Sequence, residues 1–292
     1  MRVLVTGSEG KIGRELRKLL TSHDVLCVDK KTGADLRDFN TLLSIVQFNP
    51  EIVFHLAAGF ERTVESRAFF SENAHDNIEA SQKLNFVLQS CAALKCFVFA
   101  SSYLVYNYIH YSTKPFNLHG HEELKSIDLH EESEVKPRNL CGASKLYTEV
   151  ESKFVLDKFH PNARWVSARI FRVYGPGGEE VISRWVEAKK RSETICVFNP
   201  CNAFDFIHAR DVATALHALA FSDVQGIYNV GTGEPSSIQE VLDIINPDPT
   251  KVFYDADKPQ FNEFSCADTK KISDIWRPTI TLEQGIREML DG

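Results

Sequence analysis

Arg2-Val3-Leu4-Val5-Thr6-Gly7-Ser8-Glu9-Gly10-Lys11-Ile12-Gly13 decides how this chain is read. A short run of β-prone apolar residues leads into three glycines spaced GxxGxxG. From Ile12 to Leu20 the apolar side chains then recur at helical spacing. Glycines in such a turn allow a close backbone approach, so an anion can rest on the free amides of a helix N-terminus. Strand, glycine turn and helix in that order predict a dinucleotide pyrophosphate site at Gly7, Gly10, Lys11, Ile12 and Gly13. A second strand, expected over Val25–Asp29, ends in an acid 22 residues after Gly7. An acid there bonds ribose hydroxyls and repels a 2′-phosphate, which points to NAD, while Lys30 and Lys31 leave some room for NADP. The bland alternative is a turn in an α/β protein that holds no nucleotide.

The pattern continues outward. Ile52–Ala57, Cys96–Ser101 and Trp165–Ile170 read as further buried strands, and Phe39–Phe48, Asn77–Ala93 and Ala143–Phe159 as helices between them. Strand and helix alternating in this way predict an α/β fold with a doubly wound parallel sheet, of the Rossmann kind. Residues 1–172 are expected to form the cofactor domain, with a return strand and helix near 204–232. Residues 173–292, where Gly, Pro and Asp punctuate shorter elements, are expected to form mainly a smaller substrate lobe. The polar stretch Asn107–Pro137 reads as a long loop. Its four histidines (His110, His119, His121, His130) fit no familiar ligand spacing.

Composition narrows the function classes. With 292 residues, 43% hydrophobic and 25% charged, the chain is neither disordered nor fibrous. Its net charge of −7 argues against a nucleic-acid or anionic-membrane surface. No run approaches the ~18 apolar residues of a membrane span. The seven cysteines are odd in number and scattered, and Met1 leads straight into a strand instead of a leader, so a reducing cytoplasm is expected. Cys196 and Cys201 have no second pair or histidine couple nearby, so no metal site is expected.

Further motifs complete the set: His55-Leu56-Ala57-Ala58, Ala100-Ser101-Ser102-Tyr103-Leu104-Val105-Tyr106, Arg169-Ile170-Phe171-Arg172-Val173-Tyr174-Gly175-Pro176, Asp205-Phe206-Ile207-His208 and Tyr228-Asn229-Val230-Gly231-Thr232-Gly233. With Ala267-Asp268 and Trp276-Arg277-Pro278 near the end, they resemble the extended short-chain dehydrogenase/reductase family from end to end. That family comprises NAD-dependent nucleotide-sugar epimerases and dehydratases. The resemblance implies cofactor contacts at Asp35, Leu36, Leu56, Ala57, Ala58 and Asn77, and a catalytic hydroxyl at Ser102. It also implies a homodimer formed through the Asn77–Ala93 and Ala143–Phe159 helices.

The family's mechanism places a Tyr and a Lys four residues apart on one helix. The Lys lowers the Tyr pKa and binds the nicotinamide ribose, and the Tyr exchanges a proton with a sugar hydroxyl. Here the Lys is Lys145, but the tyrosine position is Cys141. A thiol beside Lys145 can ionise, yet it ends short of a phenol oxygen, so a bridging water or Tyr103 would have to close the gap. Tyr147 points to another helix face.

The substrate end departs too. The Asp-Glu pair of the 4,6-dehydratases is replaced by Tyr103-Leu104, which favours epimerisation or simple oxidoreduction over dehydration. The arginine that grips the substrate diphosphate is replaced by Phe204, and the asparagine of the Arg-x-Phe-Asn segment by Arg172. Ser66, Arg172, His208 and Lys258 are the remaining substrate candidates, with Val64 in the same region as Ser66. Two functions stay open: an NAD-dependent nucleotide-sugar epimerase or reductase with a modified proton-transfer site, and a catalytically silent NAD-binding scaffold or sensor.

Overall fold

The computed structural model describes residues 1–59, 66–107, 112–113, 128–255 and 262–292. The expected positions Val64, Lys258, His110, His119 and His121 lie outside the described residues.

Six parallel strands form the central sheet in the order β12-β7-β4-β3-β1-β2. They are β1 (Arg2–Thr6), β2 (Asp24–Val28), β3 (Ile52–His55), β4 (Cys96–Ser102), β7 (Arg164–Ile170) and β12 (Gly226–Val230). These runs are apolar on both faces because helices cover both sides, as parallel sheets require. On one side α1 (Lys11–Leu19) and α7 (Ala209–Phe221) bury Leu16, Leu216 and Leu219 against Val3, Val5 and Val98. On the other, α2 (Phe39–Phe48), α4 (Ala80–Leu88) and α5 (Leu140–Phe159) bury Ile45, Leu84 and Leu156 against Leu4, Val53 and Phe97. Each such side chain contributes about 1.5–3 kcal/mol. The chain runs from β1 outward to β2 and then returns to β3 on the other side of β1. The sheet therefore has its topological switch point between β1 and β3, where α/β sheets open a ligand crevice.

A second lobe packs around a core of its own. It contains β8 (Arg172–Tyr174), α6 (Val181–Lys190), β9 (Ile195–Val197), β10 (Ala203–Phe204), β11 (Phe206–His208), β13 (Ser236–Ser237), α8 (Ile238–Ile245), β14 (Val252–Tyr254), β15 (Asn262–Ala267) and α9 (Leu282–Asp291). Its own core gathers Tyr174, Ile182, Trp185, Phe204, Phe206, Val241 and Ile286. Short strands β5 (Ser112–Thr113) and β6 (Asp128–Leu129) from the long loop pair with β15. Asp211 of α7 accepts from the amides of Thr279 and Ile280, tying the C-terminal segment back to the sheet domain.

Several boundaries differ from the sequence expectation. Helix α5 starts at Leu140, not Ala143, because Asn139 caps it, its side-chain oxygen accepting from Gly142 N at 2.8 Å. The helix expected over Asn77–Ala93 is preceded by α3 (Arg67–Asn73), capped by Ser66, and by a widened π turn over Ala74–Glu79 that carries Asn77. Such turns expand the helix locally and occur often at functional sites. It closes at Leu88, after which the chain turns back toward β4.

Candidate active site

The glycine turn is built as the spacing predicted. Gly7 adopts φ +69°, and a Cβ there would stand 2.7 Å from Ala57 N; a Cβ on Gly13 would stand 2.3 Å from Gly7 O. Both glycines are demanded by backbone packing. Gly10 differs, since an added Cβ would meet only Gly7 O, at 3.2 Å. The space beyond Gly10 is a cavity of about 290 Å³, lined by Gly7, Gly10, Asp29, Leu36, Ala57 and Ala58 among others. At its edge Asp29 accepts from the amides of Glu9 and Lys31, both at 2.8 Å. Asp35 also lines the cavity. Its hydrogen bond with Arg37 holds the carboxyl below the usual aspartate range, against the opposing effect of burial. Lys30 is engaged by Asp76 at 2.9 Å. A cavity beside an open glycine turn, with an acid at the ribose end, fits a dinucleotide carrying free ribose hydroxyls.

Buried hydrogen bonds shape this cavity. Thr6 Oγ1 accepts from the amides of Leu56 and Ala57. It lies 2.8 Å from His55 Nδ1, and His55 Nε2 lies 2.8 Å from Ser81 Oγ. Ser81 donates to Asn77 O, so the network assigns a neutral His55 that donates from Nε2 and accepts at Nδ1. Burial, and then the charge of Lys145, push the His55 pKa down to about 3. Asn77 brackets Gly59, accepting from its amide at 2.7 Å and donating to its carbonyl at 2.9 Å. Its amide also reaches Asn73, which in turn accepts from Ser144.

At the far end of the crevice β4 delivers Ser102, and α5 delivers Cys141 and Lys145. A Cβ on Gly142 would collide with Leu104 O at 2.3 Å, so this glycine lets the first turn of α5 rest directly on the turn after Ser102. Lys145 is buried, donates to Ala100 O at 2.7 Å and lies over the Phe99 ring at 4.8 Å. Burial pushes its pKa down, opposed by Cys141 and Glu149. Ser102 Oγ accepts from Leu104 N at 3.2 Å, which leaves its own proton available. Cys141, 7% exposed, packs in a cluster with Tyr103, Leu104, Tyr106 and Phe171.

Comparison with known proteins agrees with this geometry. A sequence model of the NAD dependent epimerase/dehydratase family matches residues 3–231. The chain belongs to that family. Over 99% of its length it is 26% identical to a putative UDP-glucose 4-epimerase of Methanocaldococcus jannaschii, covering 97% of that protein. It is 28% identical to an ADP-L-glycero-D-manno-heptose-6-epimerase of Alkalilimnicola ehrlichii, over 79% of this chain and 76% of that one. Among solved structures, MoeE5 in complex with UDP-glucose and NAD superposes with a TM-score of 0.83 at 25% identity. That match covers 100% of this chain and 98% of MoeE5.

Seen as a member of the NAD-dependent epimerase/dehydratase family, the chain departs from the sequence expectation at several residues. Tyr103 does not stand open as a replacement acid. It is 4% exposed, stacks on Phe171 at 5.2 Å, and donates to Glu263 at 3.0 Å; burial pushes its pKa up to about 12. Lys11 reaches across to Glu180 of the second lobe and so points away from a cofactor contact. His208 caps α7, accepting from Arg210 N at 3.2 Å, and packs edge-on against Tyr174. Ser66 caps α3, accepting from Phe69 N at 3.0 Å. Arg172 does face Tyr103, its Nε donating to the phenol at 3.2 Å, and lies on the Phe204 ring at 3.8 Å. Sequence reasoning missed Gly142, the Thr6–His55–Ser81 relay, and Arg138 with Glu263. A glycine directly after Cys141, in the helix that carries Lys145, was the one available signal, for Gly142; the others depend on long-range pairing.

All seven cysteines are free thiols. Among the described residues no helix is long and apolar enough to cross a membrane, and no group of three His, Cys, Asp or Glu is placed to hold a metal.

Proposed function

We propose that the protein is an NAD-dependent epimerase or reductase of a nucleotide sugar, in which Cys141 takes the place of the usual proton-transfer tyrosine. The observation that carries this reading is Lys145. It is held in the crevice by Ala100 and Phe99, on the same helix face as Cys141 and beside the strand end that presents Ser102. Gly7, Gly10, Gly13, Asp29, Leu36 and Ala57 would hold NAD, and Lys30, which also lines the cavity, is paired with Asp76. Bound NAD supplies a hydride acceptor and donor.

The chain's own residues handle the proton. Ser102 Oγ, already accepting from Leu104 N, donates its proton to the reacting sugar hydroxyl and holds it in place. The Lys145 ammonium lowers the cost of a thiolate at Cys141 Sγ. That thiolate takes the hydroxyl proton through one water, because its side chain ends short of a phenol's reach, and returns it by the same path. Tyr103 stays outside this step, neutral and committed to Glu263. A catalytically silent NAD-binding scaffold is the second reading, favoured by the packing of Cys141 against Tyr103 and Phe171.

The reading extends to a homodimer through α4 and α5. Gln82–Tyr147 and Asn85–Glu151 hydrogen bonds join the two helices, and Phe86, Val150 and Phe154 stand exposed on them. The seven free thiols support the reading of a reducing compartment such as the cytoplasm.

The test is to purify the full chain, measure retained NAD(H), and offer a panel of UDP- and ADP-linked sugars. Retained NAD and conversion of one sugar are expected. NAD retention without any conversion would leave the scaffold reading standing in its place.

A further inference from the structure

The ribose end of the cofactor cavity is lined by acids and lysines together, Asp29, Asp35 and Asp76 with Lys30 and Lys31. Lysines in such a place attract a phosphate, so a cavity meant for free ribose hydroxyls has to neutralise them. Lys30 begins the turn Lys30–Thr32, which the Asp29 side chain caps by accepting from Lys31 N. Its ammonium donates to both oxygens of Asp76, at 3.0 and 2.9 Å, and among the described residues hydrogen-bonds no other acid. Asp76 comes from a different wall of the cavity, the π turn over Ala74–Glu79. That turn is anchored by the next residue, Asn77, whose side chain brackets Gly59. Asp76 also stands 3.5 Å from Arg37 Nη1, but Arg37 keeps a carboxylate of its own, Asp35, at 2.6 Å. Among the described residues, Lys30 is therefore the cavity cation whose engagement depends on Asp76 alone.

The Lys30 side chain is 55% exposed and that of Asp76 23%, and ion pairs so open to water add little to the stability of a fold. Their placement on the cavity wall gives the pair another use. We propose that Asp76 is a specificity-determining residue of the cofactor site, selecting NAD over NADP by occupying Lys30 and by adding a second carboxylate, besides Asp29, to the ribose end. A ribose hydroxyl can donate to a carboxylate. A 2′-phosphate must instead break the Lys30–Asp76 pair or lie near a like charge, so the wrong cofactor is penalised while the right one is not. Lys31, which lines the cavity as well, is common to every variant below and cancels in their comparison. The proposal rests on the cofactor part of the reading above and not on its sugar chemistry.

Calorimetric titration of the full chain, freed of retained nucleotide, tests this with NAD, NADP, AMP and adenosine 2′,5′-bisphosphate. The proteins are wild type, Asp76→Asn, Asp76→Glu, and Asp76→Asn combined with Lys30→Gln. Wild type and Asp76→Glu, which keeps the charge, should both bind NAD in preference to NADP. Asp76→Asn should tighten NADP and the bisphosphate about tenfold, equivalent to about 1.4 kcal/mol, and leave NAD and AMP within about twofold. Adding Lys30→Gln should remove most of that gain, because the freed lysine supplies it. Asp76→Ser removes the same charge and takes the place of Asp76→Asn should that variant not fold. A wild type that holds NADP as tightly as NAD, an unchanged ratio in Asp76→Asn, an equal gain in Asp76→Glu, or a full gain without Lys30 overturns the proposal. Binding of none of the four nucleotides by the wild type would overturn the cofactor reading itself, whereas failure to convert any sugar would overturn only the enzymatic reading.

Discussion

Acid should unfold this protein through His55. The ring is fully buried and neutral, with Thr6 at one nitrogen and Ser81 at the other, and its pKa falls from 6.5 to about 3. A histidine depressed on folding favours the native state fully above its unfolded pKa. Below that value the unfolded chain binds a proton that the native chain refuses, so the stability is lost as pH falls from 6.5 toward about 3. At about 1.4 kcal/mol per pH unit, lowering the pH to about 5 removes roughly 2 kcal/mol. For a protein of this size, that is a drop in Tm of about 5 °C attributable to this one side chain. The measurement is thermal unfolding by circular dichroism at about pH 7.5 and about pH 5, for wild type and for His55→Gln. Glutamine keeps a donor for Ser81 but cannot titrate, and the double difference removes the contribution of the other histidines. The wild type should lose about 5 °C more than the variant. Equal losses in both proteins would refute the assignment of a neutral, proton-refusing His55. Because the native ring stays neutral down to about pH 3, the NAD affinity of the folded protein should stay flat over the same range in both proteins.

The other predictions concern separate parts of the molecule. Gly10→Ala should keep the fold and weaken NAD binding, whereas Gly13→Ala, whose Cβ would strike Gly7 O at 2.3 Å, should lower stability by about 1–3 kcal/mol; equilibrium dialysis and thermal unfolding separate the two effects. Glu149→Gln should destabilise by roughly 3–5 kcal/mol, because it strands Arg169, its buried partner at 2.9 Å. Chemical denaturation reads that loss, and a change below about 1 kcal/mol would contradict it. Phe154→Glu should convert a dimer to monomer in sedimentation at micromolar concentration, and a wild type that is monomeric there would remove the proposed interface.

The parts of this fold that could be read in the sequence are those written locally. The strand, glycine turn and helix from Arg2 to Leu19 carry their signal within twenty neighbouring residues, and the structure repeats it almost residue for residue. Cys141 and Lys145 were singled out by the resemblance to the family, which sets its Tyr and Lys four residues apart. What escaped is set by residues far apart in sequence. Glu263 meets Tyr103 across 160 residues, and nothing near either residue announces the pairing. For the same reason Tyr103, read from its neighbour Ser102, looked free to reach the crevice, whereas the second lobe holds it fast. The cap residues Ser66 and Asn139 shifted two helix starts because a side-chain hydrogen bond can nucleate a turn that apolar periodicity does not show.

In the proposed reaction Cys141 Sγ moves the proton in a working active site. The most direct measurement is the rate of sugar conversion by wild type and by Cys141→Ala, each saturated with NAD and the accepted nucleotide sugar. Loss of a positioned acid/base should slow the variant about 10²- to 10⁴-fold while NAD affinity stays unchanged. Equal rates in the two proteins, or conversion seen only after Cys141→Tyr, would contradict the account.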